Sequence, residues 1–333
     1  MKSKRPQLSD ILKAHRAIRG VAVETPVIRS TLGRERTPLW MKLETLQPSG
    51  AFKLRGAANA VSQLSDDAKK RGVICCSTGN HGTALAYAAR QMGVPATVCV
   101  SQLVPQVKVK AIEAQGARVV QKGNSQDDAQ LEADRLVAKE GLTDIPPFDH
   151  FDVVTGQATI GLELMRDNPE LECLLVPLSG GGLTAGIAIA AKAIKPSIRI
   201  VGISMDRGAA MAESLRAGKP VEVIEVPSLA DSLGGGIGLN NQHTFDVCQD
   251  MLDEVILLTE AEIYRGMQAL FAHDRLIAEG ASAVGHAAVL AGKVMLTGPT
   301  ATIITGRNVD MDQFTNVITG QPIQLGELLV TGA

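Results

Sequence analysis

The sequence predicts an α/β protein of two open α/β domains with mainly parallel sheets, and three observations carry that expectation. Short apolar runs at 73–76, 96–100 and 119–120 alternate with helical patterns at 83–92, 107–114 and 127–138. Crossover helices impose this rhythm on a parallel sheet. A second series of runs, at 174–178, 198–203, 255–258 and 301–304, follows the loop Ile145-Pro146-Pro147-Phe148-Asp149. The chain has 333 residues, which at roughly 150 per domain allows about two domains and excludes a small stapled module.

In chain order, Ile11, Ala14 and Ile18, ended by Gly20, predict an amphipathic helix with Ser9 or Asp10 near its cap. The two series are expected to join near Pro146 and Pro147, while the pattern before about Gln47 suits either half. No repeat of fixed period and no low-complexity linker interrupts them. About 25 residues follow Asn308, too few for an appended regulatory domain.

Composition narrows the partners. Lys+Arg 33 against Asp+Glu 35 gives a net charge of -2, with no cationic surplus for nucleic acid or anionic lipid. Hydrophobic residues at 45% and charged residues at 20% are globular values. Cys75, Cys76, Cys99, Cys173 and Cys248 are odd in number and lack zinc spacing, which points to a reducing compartment and no metal site. The opening MKSKRPQLSD has no apolar signal core, and the most apolar run, 183–194, contains Lys192 and is too short to span a bilayer. A cytoplasmic protein with no membrane or nucleic-acid partner is the expectation.

Four loops hold residues that can do chemistry. In Pro48-Ser49-Gly50-Ala51-Phe52-Lys53-Leu54-Arg55-Gly56, Ser49 is expected to cap a helix opening at Gly50 or Ala51. That places the Lys53 amine beside Phe52 and Leu54, where desolvation favours the neutral form that carbonyl chemistry needs. A surface lysine on an amphipathic helix is the plainer reading. Ser77-Thr78-Gly79-Asn80-His81-Gly82 lies between a strand and a helix, where free N–H groups can receive a carboxylate; a capped turn explains it nearly as well. Ser179-Gly180-Gly181-Gly182-Leu183 also follows a strand and opens a helix, and three glycines let several N–H groups converge on one phosphate. Thr305-Gly306-Arg307-Asn308 closes the last run; its hydroxyl could bond a cofactor ring nitrogen, or the segment is an ordinary turn. Gly234-Gly235-Gly236 with Gly238 reads either as a flexible wall of the same site or as a long turn.

No G-x-x-x-x-G-K-[ST], H-E-x-x-H or G-x-S-x-G pattern occurs, so nucleotide hydrolysis, zinc proteolysis and the usual serine-hydrolase chemistry drop out. Gly180, Gly182 and Ala185, with Asp206 after the next strand, satisfy a relaxed dinucleotide fingerprint. A nicotinamide oxidoreductase therefore stands as a rival on these residues.

Taken in this order, the segments resemble the pyridoxal-phosphate enzymes of the tryptophan-synthase-β fold (fold type II), specifically the serine/threonine dehydratase and serine racemase family, from Leu8 to about Asp310. Lys42-Leu43-Glu44 through Gly56 looks like that family's lysine signature. The resemblance implies that Lys53 is the catalytic lysine bonding pyridoxal 5'-phosphate, with Phe52 packed beside it. Asn80 matches the asparagine on the pyridoxal 3-hydroxyl, and Ser77, Thr78, Gly79, Asn80 and His81 match the loop that holds the substrate carboxylate. Ser179, Gly180, Gly181, Gly182 and Leu183 match the phosphate cradle, and Thr305 matches the residue facing the pyridine nitrogen. Phe148-Asp149 and Gly156-Gln157-Ala158-Thr159 also resemble family segments. The implied organisation is a large cofactor-binding domain of residues 1–47 with 146–333, a small substrate-side domain of residues 48–145, and a homodimer.

The implied reaction on a small amino-acid substrate is removal of the α-proton by Lys53, loss of the β-hydroxyl, and release of a 2-oxo acid and ammonia. A neutral Thr305 supports a protonated pyridine far less than an aspartate would, which favours elimination over transamination. Several positions depart from the family pattern. Thr78 stands where the racemases carry a catalytic serine, and its bulkier, stiffer side chain argues against racemisation. Ser204 and Ala210 occupy aligned positions of the family's divalent-cation site, so no metal is expected there, although Asp206 lies nearby. Ser232 replaces a usual glycine. Glu44-Thr45-Leu46-Gln47-Pro48, Ser77-Thr78-Gly79-Asn80 and the 228–236 segment look most like hydroxyectoine-utilisation dehydratases, whose substrate would be related to hydroxylated diaminobutyrate. A pyridoxal-phosphate or amino-acid binding protein without turnover is the non-enzymatic rival.

Overall fold

The computed structural model describes residues 4–332; Met1, Lys2 and Ser3 of the polar opening segment lie outside the described residues. In chain order the strands are β1 (Val27–Arg29), β2 (Leu39–Leu43), β3 (Val73–Cys76), β4 (Ala96–Val100), β5 (Arg118–Gln121), β6 (Thr143–Asp144), β7 (Cys173–Pro177), β8 (Arg199–Met205), β9 (Glu254–Leu258), β10 (Thr300–Ile304), β11 (Ile323–Leu325) and β12 (Leu328–Val330). One sheet has the order β1-β2-β10-β7-β8-β9 and the other β5-β4-β3-β6, with β11 and β12 forming a separate hairpin. Within the two large sheets only the β1–β2 pair is antiparallel. Every residue of β3, β7 and β10 is buried, as expected for parallel strands covered on both faces.

Each run of the two series named above is a strand, the most apolar run, 183–194, lies in the helix Gly182–Ile194, and the alternating patterns are the helices Asn80–Gln91, Gln106–Glu113 and Gln126–Glu140. The first helix, Leu8–Ala17, starts one residue before Ser9. Its Asp10 carboxylate accepts the Gln7 N–H at 3.0 Å, which secures a free donor of the first turn. Gly20 follows at φ +85°, a backbone state that an L side chain resists.

The expected cap at Ser49 is corrected. The helix begins at Lys53, and the Ser49 hydroxyl instead donates to the Ala51 carbonyl. The reason is long-range pairing: Ala51 bridges Gly306 in antiparallel fashion, Phe52 N–H donates to the Thr305 carbonyl at 2.9 Å, and Arg307 N–H to the Gly50 carbonyl at 3.0 Å. Backbone groups committed to that ladder cannot also open a helix.

The Lys53–Ser62 helix packs on the helices Phe151–Asp167 and Asn80–Gln91. It crosses the former so closely that a Cβ on Gly156 would lie 2.5 Å from the Arg55 carbonyl. Beside this crossing, Arg55 donates to both Glu44 oxygens at 2.8 Å and also to Glu163, while Lys42 donates to Glu163 at 2.6 Å. These four side chains are buried. Burial pushes the Glu163 carboxyl up, but hydrogen bonds from His15 and Arg55 and the charges of Arg55 and Lys42 outweigh it and hold that carboxyl well below its ordinary value. The group joins β2, the lysine-bearing helix and the 151–167 helix two residues from Lys53. No helix among the described residues is long and apolar enough to cross a membrane.

Candidate active site

A cavity of about 310 Å³ opens where the carboxyl ends of β3, β7 and β10 converge, and residues of all four loops line it. Its volume lies at the lower end of that of small-ligand pockets.

Lys53 enters from the first position of its helix. Its amine donates to the Pro147 carbonyl at 2.7 Å and has no carboxylate partner among the described residues. Burial pushes its pKa down to about 8, because desolvation penalises the ammonium form. Phe52 lies beside it, with the amine 5.3 Å from the ring centre.

Ser77, Thr78 and Gly79 connect β3 to the Asn80–Gln91 helix, which has no side-chain cap. The first N–H groups of such a helix have no internal acceptor, so this end of the cavity can receive an anion. His81, in the same turn, is buried, and its Nε2 lies 2.7 Å from the Ile145 carbonyl. A carbonyl only accepts, so Nε2 carries the proton and Nδ1 presents a lone pair, which has no partner. Burial and then the neighbouring Lys53 push the His81 pKa down to about 3, so the ring is neutral.

Across the cavity, Ser179 follows β7 and Gly181 adopts φ +87° before the helix Gly182–Ile194 begins. Side chains here are forbidden by their neighbours: a Cβ on Gly180 would lie 2.5 Å from the Phe148 ring, one on Gly181 2.7 Å from Met211 Cε, and one on Gly182 2.9 Å from Phe148 Cα. Bare backbone N–H groups at a helix N-terminus therefore face the ligand space. Phe148 thus supports the glycines, and Asp149 accepts the N–H groups of Gln242, His243 and Thr244. Leu183 and Thr305 complete this lining. Every site residue expected from the sequence borders the one cavity. Gly234 of the glycine cluster also lines it, whereas Gly235, Gly236 and Gly238 do not.

The sequence reading missed a polar group between these ends. Glu279 is buried, accepts from the Asn80 amide at 3.1 and 3.0 Å, from Asn308 N–H at 2.8 Å and from the Ser232 hydroxyl at 3.0 Å. No cation pairs with it among the described residues, and burial raises its pKa. The Asn80 oxygen accepts from the Asn308 amide at 2.7 Å. The only local sign of Glu279 is an acid ahead of an apolar helix, which reads as an ordinary cap. Asp206 does not line the cavity, so the nicotinamide reading lacks its ribose-binding acid.

A buried amine facing a side-chain-free phosphate cradle fits pyridoxal phosphate, whose aldehyde and phosphate need those two features. The family described as "Pyridoxal-phosphate dependent enzyme" matches residues 18–306. The chain belongs to that family. It is a pyridoxal-phosphate enzyme of threonine-dehydratase type. It is 51% identical over 316 residues to a protein of Sinorhizobium fredii named as a threonine dehydratase, covering 94% of this chain and 95% of that protein. The L-threonine ammonia-lyase of Thermotoga maritima is 36% identical over 314 residues, covering 93% and 78% respectively. Among solved structures, maize serine racemase superposes with a TM-score of 0.88 at 31% identity, covering 95% of this chain and 98% of that one. The processed form of threonine deaminase isoform 2 from Solanum lycopersicum gives 0.86 at 32% identity, covering 96% of each.

Proposed function

We propose that this enzyme dehydrates and deaminates a small 3-hydroxy amino acid to a 2-oxo acid and ammonia, the substrate being threonine, serine or a hydroxylated diaminobutyrate derived from hydroxyectoine. The observation that carries this reading is the Lys53 amine and the Gly180–Gly182 cradle facing each other across one cavity. Bound pyridoxal phosphate supplies an electron sink for a carbanion at the substrate α-carbon.

The chain's own residues do the rest. N–H groups of Gly180, Gly181, Gly182 and Leu183, with Ser179, would hold the phosphate, while Phe52 would wall the ring, Asn80 would bond its 3-hydroxyl and Thr305 would lie toward its nitrogen. The Ser77-Thr78-Gly79-Asn80-His81 turn takes the substrate carboxylate, the Lys53 nitrogen removes the α-proton, and the Thr78 hydroxyl serves as a second proton-exchanging group. Glu279 holds the Asn80 amide in place. We further read residues 48–145 as a substrate-side domain against a larger unit of 1–47 with 146–333; the two sheets, one confined to 73–144, support this division. A cytoplasmic homodimer is part of the same proposal.

Incubation with a panel of 3-hydroxy amino acids, including 3-hydroxy-2,4-diaminobutyrate, should give 2-oxo acid and ammonia from at least one member. Chiral chromatography of residual substrate separates elimination from racemisation. No 2-oxo acid from any member would overturn the lyase reading, and racemised substrate alone would assign the chain to the other branch.

A further inference from the structure

Resting on the family's divalent-cation site, whose aligned positions fall around the end of β8, we propose that Arg207 supplies a fixed positive charge in place of that cation and braces the cavity wall at Asp231 and Ser232 through Glu260. The residues present do not suit a divalent ion. Such ions take about six or more oxygen ligands, carboxylates prominent among them. Here β8 carries the buried Ser204 hydroxyl near its end, and Ala210, the first residue of the helix Ala210–Ala217, offers only a methyl group. Among the described residues the one set of three His, Cys, Asp or Glu side chains close enough to share an ion is His15, Glu24 and Glu163, none of which belongs to this turn.

What the turn holds instead is a guanidinium. Met205 pairs with Leu258 across β8 and β9, and the Asp206 N–H donates to the Leu258 carbonyl at 2.8 Å. Arg207 and Glu260 therefore leave the sheet side by side, each two residues beyond that pair. Among the described residues, Arg207 Nη1 is buried without an acceptor and Glu260 Oε1 is buried without a donor. Each such orphan costs free energy. No direct bond joins them, and one water lying between the two groups satisfies both. Burial raises the Glu260 pKa, and the Ser228 hydroxyl, the Leu229 N–H and the charge of Arg207 act against that rise. A guanidinium keeps its charge at every working pH, and that charge repels a second cation.

Glu260 carries this brace to the site. Its Oε2 accepts the Leu229 N–H at 2.9 Å, and Leu229 crosses Gly280 so closely that a Cβ there would lie 2.2 Å from the Leu229 carbonyl. Asp231, Ser232 and Leu233 follow directly and line the cavity, and the Ser232 hydroxyl donates to Glu279 at 3.0 Å. Arg207 does not line the cavity, so it is a positioning residue that acts through Glu260.

The test uses the holoenzyme and reads cation dependence first. The melting temperature and kcat/KM of wild type should be the same in EDTA and in millimolar magnesium, calcium or manganese. Arg207→Met should lower the melting temperature and raise KM about tenfold with kcat nearly unchanged, the pattern of lost binding and not of lost chemistry. Arg207→Lys, which keeps the charge, should recover most of both. Glu260→Gln should cost as much as Arg207→Met, and the double variant no more than either single one, because both break the same link. A divalent cation that raises the wild-type melting temperature or rate and is reversed by EDTA would overturn the proposal. So would an Arg207→Met protein indistinguishable from wild type, or losses that add in the double variant; the wild-type arm decides alone if the variants do not fold. Failure of the lyase reading is distinct, since it abolishes turnover of every substrate and leaves the melting comparisons as stated.

Discussion

Replacing Arg55 with methionine tests how the lysine-bearing helix is held. The guanidinium makes paired bonds to Glu44 at 2.8 Å and bonds to Glu163 as well, with no exposure to solvent worth counting. Methionine keeps most of the packing volume but leaves two buried carboxylates with Lys42 as their remaining strong cation. Removing one partner of a buried pair costs about 3–5 kcal/mol, because the other charge is stranded away from water. The urea midpoint of the cofactor-free protein, followed by the fluorescence of Trp40, the single tryptophan, should fall accordingly. The loss should depend on pH in a stated direction. Glu163 is held below its unfolded value, so its stabilisation is complete above that unfolded value and disappears as pH falls through the folded one. The gap between wild type and variant is therefore widest near neutrality and narrows on acidification. A loss under about 1 kcal/mol at pH 7, or a gap that grows with acid, would refute the reasoning.

Three further outcomes follow from the site. The Lys53 pKa of about 8 means that the neutral amine fraction falls about tenfold per pH unit below that value, so stopped-flow capture of pyridoxal phosphate should accelerate from pH 6 to 8 and then level; a flat profile contradicts a desolvated amine. Gly181→Ala forces a side chain into φ +87° and against Met211, a strain of about 1–2 kcal/mol, and equilibrium dialysis should show about tenfold weaker cofactor retention; unchanged affinity would remove the cradle from this loop. Ser232→Gly deletes an exposed hydroxyl bonded to Glu279, so stability should change by about 0.5 kcal/mol or less while kcat/KM ratios across the substrate panel shift about tenfold. Identical ratios would show that Ser232 takes no part in selection.

Much of this architecture can be read from the chain because it is written locally. Parallel strands buried on both faces are continuous apolar runs, and three consecutive glycines at a strand end leave little besides close approach to explain them. The start of the Lys53 helix was misplaced because its boundary is set by Thr305 and Gly306, some 250 residues away. Glu279 stayed invisible for the same reason. The Asn80–Glu279 bond spans 199 positions and the Ser232–Glu279 bond spans 47, separations at which no periodicity survives. The Arg55 network likewise joins β2 and the residue after it to two helices, and its charges look like solvated surface until folding brings them together.

The crossover segment 145–147 carries a further consequence. It is tied at Ile145 by His81 and at Pro147 by the free Lys53 amine. Bonded to the cofactor's carbon, that nitrogen would keep at most one hydrogen, and the bond to Pro147 would be given up. The Lys53–Pro147 bond would thus belong to the states in which the amine is free, before the cofactor binds and again once an incoming amino acid has displaced the lysine, so the 145–147 strip would be tied twice in those states and once in between.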